Sequence, residues 1–158
     1  MVQWNDYYIK CWKHYFDFKG RARRSELLIF IAINRAIHTL GLQISDIEAM
    51  NEYVSLIIVG LVVLFGLSSF IPEIAVSSRR LHDIGQSGWW ISVPAILGVA
   101  SVLFSIVSKT KLIATVCLVA YFVSIICCLF LFLKDSQPGE NKWGPNPKEE
   151  NNLSQNIN

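Results

Sequence analysis

Three stretches of this chain contain no charged residue at all: 53–72, 85–108 and 112–133. At about 1.5 Å per helical residue, each is long enough to cross a hydrocarbon core roughly 30 Å thick. A helix that is apolar on every side needs surroundings to match, and a chain this short cannot bury three of them in a soluble core. They are read as transmembrane spans over about 53–71, 89–108 and 112–133. A fourth, shorter span over about 25–42 carries Asn34, Arg35 and His38 in its middle. Before it, residues 4–16 follow a different pattern. At 100° per residue, Trp4, Tyr7, Tyr8, Cys11, Trp12, Tyr15 and Phe16 share one side, with Asp6, Lys10, Lys13 and His14 opposite. Rings at headgroup depth beside ammonium groups facing lipid phosphates describe a helix lying in the interface. The alternative is a helix packed on the protein's own cytoplasmic loops. The predicted architecture is all-α: a polytopic membrane protein with four transmembrane helices and an N-terminal amphipathic interfacial helix. It forms one membrane domain over 1–148, with a cytoplasmic motif tail at 134–148 and a disordered, Asn-rich end at 149–158.

Finer punctuation follows from single residues. Pro72 should close or kink the second span, leaving a polar stretch over 73–87. Trp89 and Trp90 anchor the start of the third span, and Pro94 should bend its first turns. In the fourth, Ala120, Ser124 and Cys128 recur at intervals of four and permit close helix packing; Ser101 and Ser105 give the third a shorter version.

Charge adds orientation. Charged residues make up 16% of the chain, against about 25% in soluble proteins, and the formal charge of +2 matters less than its placement. Of fourteen Lys and Arg residues, eleven flank the N-terminal segment, the loop after the second span, and the tail. The opposite flanks hold only Lys109 and Lys111, and Arg35 lies within a span. The positive-inside rule then places both termini in the cytoplasm. The stretch after Arg23 and Arg24 lacks a small-residue cleavage site, so the first helix is expected to stay in the mature protein. The four cysteines show no metal-ligand spacing, and three lie in the last span, where Cys acts as a small apolar residue. Neither a metal nor a cofactor is expected.

The densest polar constellation runs Ser78-Arg79-Arg80-Leu81-His82-Asp83-Ile84-Gly85-Gln86-Ser87-Gly88. If 73–84 is helical, Arg79, His82, Asp83 and Gln86 share a side. Arg21, Arg23 and Arg24 are predicted on the same membrane face, so up to five guanidinium groups could converge there. Such a cluster suits phosphate, whose oxygens accept paired hydrogen bonds from guanidinium. The bland reading is positive-inside anchoring, with Arg79–Asp83 and Arg80–Asp83 pairs fixing the loop. Catalysis has less support: no nucleophile-elbow, zinc-protease or phosphate-loop motif occurs. Ser78 or Ser87 with His82 and Asp83 is a triad in letters only. The second constellation is Asn34, Arg35 and His38. An ionisable group inside a span suggests an ion or proton path. The bland reading has Arg35 snorkelling or pairing with an acid such as Glu73, and His38 neutral.

Three stretches together resemble a known family. They are Tyr15-Phe16-Asp17-Phe18-Lys19-Gly20-Arg21-Ala22-Arg23-Arg24-Ser25-Glu26; Arg79-Arg80-Leu81-His82-Asp83-Ile84-Gly85 with Ser87-Gly88-Trp89-Trp90; and Pro138-Gly139 with Asn141-Lys142-Trp143-Gly144-Pro145-Asn146-Pro147. In that order the chain resembles the domain-of-unknown-function family 805, small bacterial inner-membrane proteins. The resemblance implies a multi-pass inner-membrane protein and carries no activity with it. Leu27 and Leu28 stand where the family usually has aromatics, and Gln86 where it often has a basic residue.

The functional expectation is a non-enzymatic membrane protein without catalytic residues. It would bind an anionic phosphate or lipid headgroup through Arg21, Arg23, Arg24, Arg79 and Arg80. His82 and Asp83 would orient that ligand, and Asn141 and Trp143 would fold over it. The expected partners are membrane lipids, chiefly anionic phospholipid, and a second copy or another membrane protein. Nucleic acid is not expected, because the basic residues lie at a bilayer surface. The alternatives are a small transporter or channel subunit using Asn34, Arg35 and His38, and a membrane enzyme acting on a lipid phosphate.

Overall fold

The structure, a computed structural model, describes residues 4–47, 51–107 and 111–148. The expected disorder of 149–158 and the flanking charge of Lys109 lie outside the described residues. Among these residues the regular elements are all helical: α1 (Trp4–Lys13), α2 (Arg24–Ser45), α3 (Glu52–Asp83), a 3₁₀ turn (Gly88–Ile91), α4 (Ser92–Val107) and α5 (Lys111–Leu133). Four of them are long and apolar enough to cross a membrane: α2, α3, the 3₁₀ turn continued by α4, and α5 from Leu112. Contacts group the chain into two compact units, one of residues 1–18 and 25–76, the other of 19–24 and 77–158.

In the first unit, α2 and α3 run antiparallel. Ser55 Oγ donates to the Ser45 carbonyl at 2.6 Å near one end, and Arg35 reaches Glu73 at 2.7 Å further along. Between these points the His38 ring lies over Gly66, where a Cβ would come within 2.8 Å of it. α1 lays its aromatic side on this pair. Tyr8 and Trp12 meet Phe30 with ring centroids 5.3 and 6.0 Å apart, and Trp12 meets Phe65 at 6.3 Å. Its Lys10 pairs at 2.8 Å with Glu26, whose side chain is only 1% exposed. Helical geometry stops at Lys13, and residues 14–16 form a turn rather than continuing the predicted helix.

Of the two expectations for Pro72, closing or kinking, closing is not met: α3 continues through it to Asp83. A proline inside a helix frees the carbonyl four residues earlier, here that of Ser68. The Tyr15 hydroxyl donates to that carbonyl at 2.7 Å. With the orphan acceptor satisfied, the helix continues past Pro72, and Arg79, Arg80 and Asp83 ride on its last turns.

In the second unit, α4 and α5 pack together, with the Tyr121 ring against Gly98. The hydroxyls of Ser101, Ser105 and Ser124 each donate to a carbonyl three residues back in their own helix. A hydroxyl satisfied in this way can face an apolar neighbour at little cost.

Candidate functional site

α3 ends in a glycine-terminated turn. The Gln86 N–H donates to the Leu81 carbonyl at 2.9 Å and Gly85 N–H to that of His82 at 3.1 Å. This is a Schellman closure, and Gly85 takes the positive φ of 78° that it requires. The closure fixes the side chains immediately before it.

Asp83 and Arg80 are fully buried there, and Arg21 nearly so. Arg21 Nε donates to Asp83 Oδ1 at 2.9 Å. Arg80 Nη1 donates to Oδ2, which also accepts from Ser136 Oγ at 2.6 Å. The expected Arg79–Asp83 pair is therefore replaced by Arg21–Asp83, while Arg80 does pair with Asp83. Both carboxylate oxygens are taken without Arg79, Oδ1 by Arg21 from the connector and Oδ2 by Arg80 and Ser136.

The other guanidinium donors go largely to backbone carbonyls of the tail. Arg21 bonds the carbonyls of Gln137 at 2.5 Å, Gly139 at 2.7 Å and Gly144 at 3.3 Å. Arg23 takes that of Pro147. Arg80 Nε donates to Phe132 at 3.0 Å, and Arg24 Nη1 to Leu133 at 3.1 Å. Those two carbonyls belong to the last turn of α5, where no intrahelical donor remains and the helix dipole is negative. Arg80 and Arg24 thus cap α5. Together these arginines form a clasp that joins connector, loop and tail.

His82 stacks on Trp143, with ring centroids 4.5 Å apart and planes 10° from parallel. Its Nδ1 lies 3.2 Å from the Gly20 carbonyl, which can only accept, so that nitrogen carries the proton. Asn141 Nδ2 donates to the His82 carbonyl at 3.0 Å. Lys142 sits 4.1 Å above the Trp143 ring. Asn141 and Trp143 therefore rest on His82 itself.

Arg79 is different. Its side chain is buried, the residue being 3% exposed, yet Nε and Nη2 have no hydrogen-bond partner. These two N–H groups form one edge of the guanidinium plane and point in parallel, the arrangement that receives two oxygens of one oxyanion. A buried donor left unmet costs about 1–3 kcal/mol.

Asp135, fully exposed, links Lys148 to Arg24. The Lys148 ammonium, then the Ser136 N–H, hold its carboxyl below the usual carboxylate range. A depressed folded-state pKa contributes stability above the ordinary value, lost as pH falls through the folded one. Amide protection around Asp135 and Lys148, taken relative to the intrinsic exchange rate at each pH, should therefore be greatest at neutral pH and fall on acidification below about pH 4.

The second constellation disperses. Asn34 is fully buried and accepts from the Tyr8 hydroxyl at 3.2 Å. Arg35 pairs with Glu73, and His38 packs on Gly66 and Phe65. The three side chains face three different neighbours. Among the described residues, no group of three or more His, Cys, Asp or Glu is placed to hold a metal ion.

Sequence reasoning missed the tail's part in the clasp. The carbonyls of Gln137, Gly139 and Gly144 carry no side-chain signature of arginine binding, whereas Asp135, which pairs with Arg24, does. For the carbonyls the only available signal was the Pro- and Gly-rich composition after Lys134, which frees backbone acceptors from helix.

Residues 15–145 match the family described as "Protein of unknown function (DUF805)". Two similar proteins are both from Escherichia coli strain K12. "Inner membrane protein YhaH" is 32% identical over 150 residues, covering 92% of this chain and 98% of that protein. "Inner membrane protein YhaI" is 28% identical over 147 residues, covering 93% and 97%. No solved structure matches.

Proposed function

This chain belongs to the DUF805 family, and from that premise and the arginine geometry we propose a non-enzymatic inner-membrane protein that holds a phosphate-bearing anion at Arg79. A lipid headgroup is the favoured source. The observation that carries this reading is the unpartnered Nε and Nη2 edge of a buried Arg79. Arg21, Arg23, Arg24 and Arg80 frame the site as a scaffold, because tail carbonyls already accept from them. Their charge still favours an anion, since four guanidinium groups are offset by few nearby carboxylates, chiefly Asp83 and Asp135. The non-enzymatic part draws support from Asp83, whose carboxylate lies between two arginines and does not orient His82.

Both termini are assigned to the cytoplasm. This reading draws support from the direct bonds of Arg21 and Arg23 to the tail, which suit two ends on one side. The excess of Lys and Arg on that side selects the cytoplasmic face. On this reading α1, with Trp4 exposed at its start and Phe16 in the turn that follows it, lies at headgroup depth.

Native mass spectrometry of the detergent-purified protein tests the ligand. Wild type should retain phosphatidylglycerol over phosphatidylcholine, and Arg79→Ala should weaken retention by about tenfold or more, the worth of one charge-assisted hydrogen bond. Arg79→Lys keeps the charge but loses the paired donors, and should fall between. Competition by inorganic phosphate at millimolar concentration would assign the site to a soluble anion. Equal retention by wild type and Arg79→Ala would refute the reading.

A further inference from the structure

The Arg35–Glu73 pair sits on the outer face of α2, in an unusual place for exposed charge. Arg35 is near the middle of the 22-residue helix Arg24–Ser45, about 15 Å from either end at the helical rise. Its partner Glu73 stands just past the uncharged run 53–72, so the pair lies within the first span and at the end of the second. Even so, its side chain is 60% exposed and that of Glu73 26%. Nη2 of Arg35 serves both carboxylate oxygens at 2.7 Å, and Nε and Nη1 make no hydrogen bond among the described residues. A charge facing acyl chains is costly.

The surface around the pair has a second property. Leu28, Ala32, Arg35, Ala36, Thr39 and Gln43 are all exposed, and at 100° per residue they fall within a stripe about 100° wide in which Leu28 alone is large and apolar. It lies opposite the side of α2 that buries Leu27, Phe30 and Asn34. Elsewhere the spans expose large apolar side chains, such as Leu61, Leu64 and Leu67 on α3 and Val119, Phe122 and Val123 on α5. Small and polar residues at intervals of three and four are what helix–helix interfaces in membranes use.

We propose that this stripe is the interface between two copies of the chain, related by a twofold axis along the membrane normal. The charges select the partner. Arg35 and Glu73 are in contact, so they lie at one depth. A twofold axis then sets each Arg35 beside the other copy's Glu73, and the two pairs close into a four-charge ring. An interface carrying both signs side by side is self-complementary, as twofold association demands. Ala32 and Ala36 let the backbones approach closely enough for this to happen. The inference is independent of the ligand at Arg79.

The test is resonance energy transfer between donor- and acceptor-labelled full-length chains in phosphatidylcholine vesicles, followed on lipid dilution. Wild type should transfer above the level of a non-associating control, and Ala36→Leu should drop to that level. Arg35→Glu presents two acids and Glu73→Arg two bases, so neither should associate with itself. An equimolar mixture of the two should regain transfer, a result that misfolded variants could not give. Transfer at control level for wild type would overturn the proposal. So would self-association of both single variants, or a mixture no better than its parts.

Discussion

Replacing Asp83 by alanine should destabilise the protein by about 3–5 kcal/mol, the range for breaking a buried ion pair by removing one partner. The loss comes less from the bonds removed than from what stays behind. Arg21 and Arg80, whose side chains are 1% and 0% exposed, would face each other with no carboxylate between them. Ser136 would also lose its acceptor. Asp83→Asn keeps the shape and one acceptor oxygen but not the charge, and should fall between. Denaturant unfolding in a fixed detergent measures this; an unchanged midpoint for Asp83→Ala would show that the triad is not a structural centre.

Arg21→Ala is the second large effect, and it should be distributed differently. This one side chain donates to Asp83 and to the carbonyls of Gln137, Gly139 and Gly144. Hydrogen bonds from a charged donor contribute about 1.5–3 kcal/mol each but do not add within one network. A total loss of about 3–5 kcal/mol is expected, again set by the stranded Asp83. Its signature is local: amide exchange should accelerate across 135–147 while α4 and α5 keep their protection. Arg21→Lys cannot rescue it, because three rotatable donors on a point charge do not reproduce a planar fork. With Asp83→Ala added, the double variant should lose much less than the sum, since each change removes the other's partner. Uniform acceleration across every helix would instead mean that Arg21 supports the whole fold and not the tail.

How much of this was legible in the sequence depended on the kind of interaction. The spans were legible because hydrocarbon admits few charges, and uncharged runs such as 112–133 leave little choice. The meeting of Arg21, Arg23, Arg24, Arg79 and Arg80 in one unit with the tail was foreseeable from shared membrane side and motif density. Which of them would be occupied was not. Side chains advertise their chemistry by letter, whereas the carbonyls of Phe132, Leu133, Gln137 and Gly139 look like every other carbonyl until a helix end exposes them. Pro72 failed as a helix stop for the same reason. The rule presumes an unmet Ser68 carbonyl, and the group that meets it, the Tyr15 hydroxyl, lies 53 residues away.

The clasp also sets an order of events during biosynthesis. Arg21 and the carbonyl of Gln137 are 116 residues apart, and Arg23 and that of Pro147 are 124 apart. At roughly 5–20 residues per second, the connector leaves the ribosome on the order of 6–25 s before its acceptors exist. Four hydrophobic helices are made in that interval, and Asp83, 62 residues after Arg21, is available to the connector well before the tail. The same arginines thus close on the tail only after all four helices have been made.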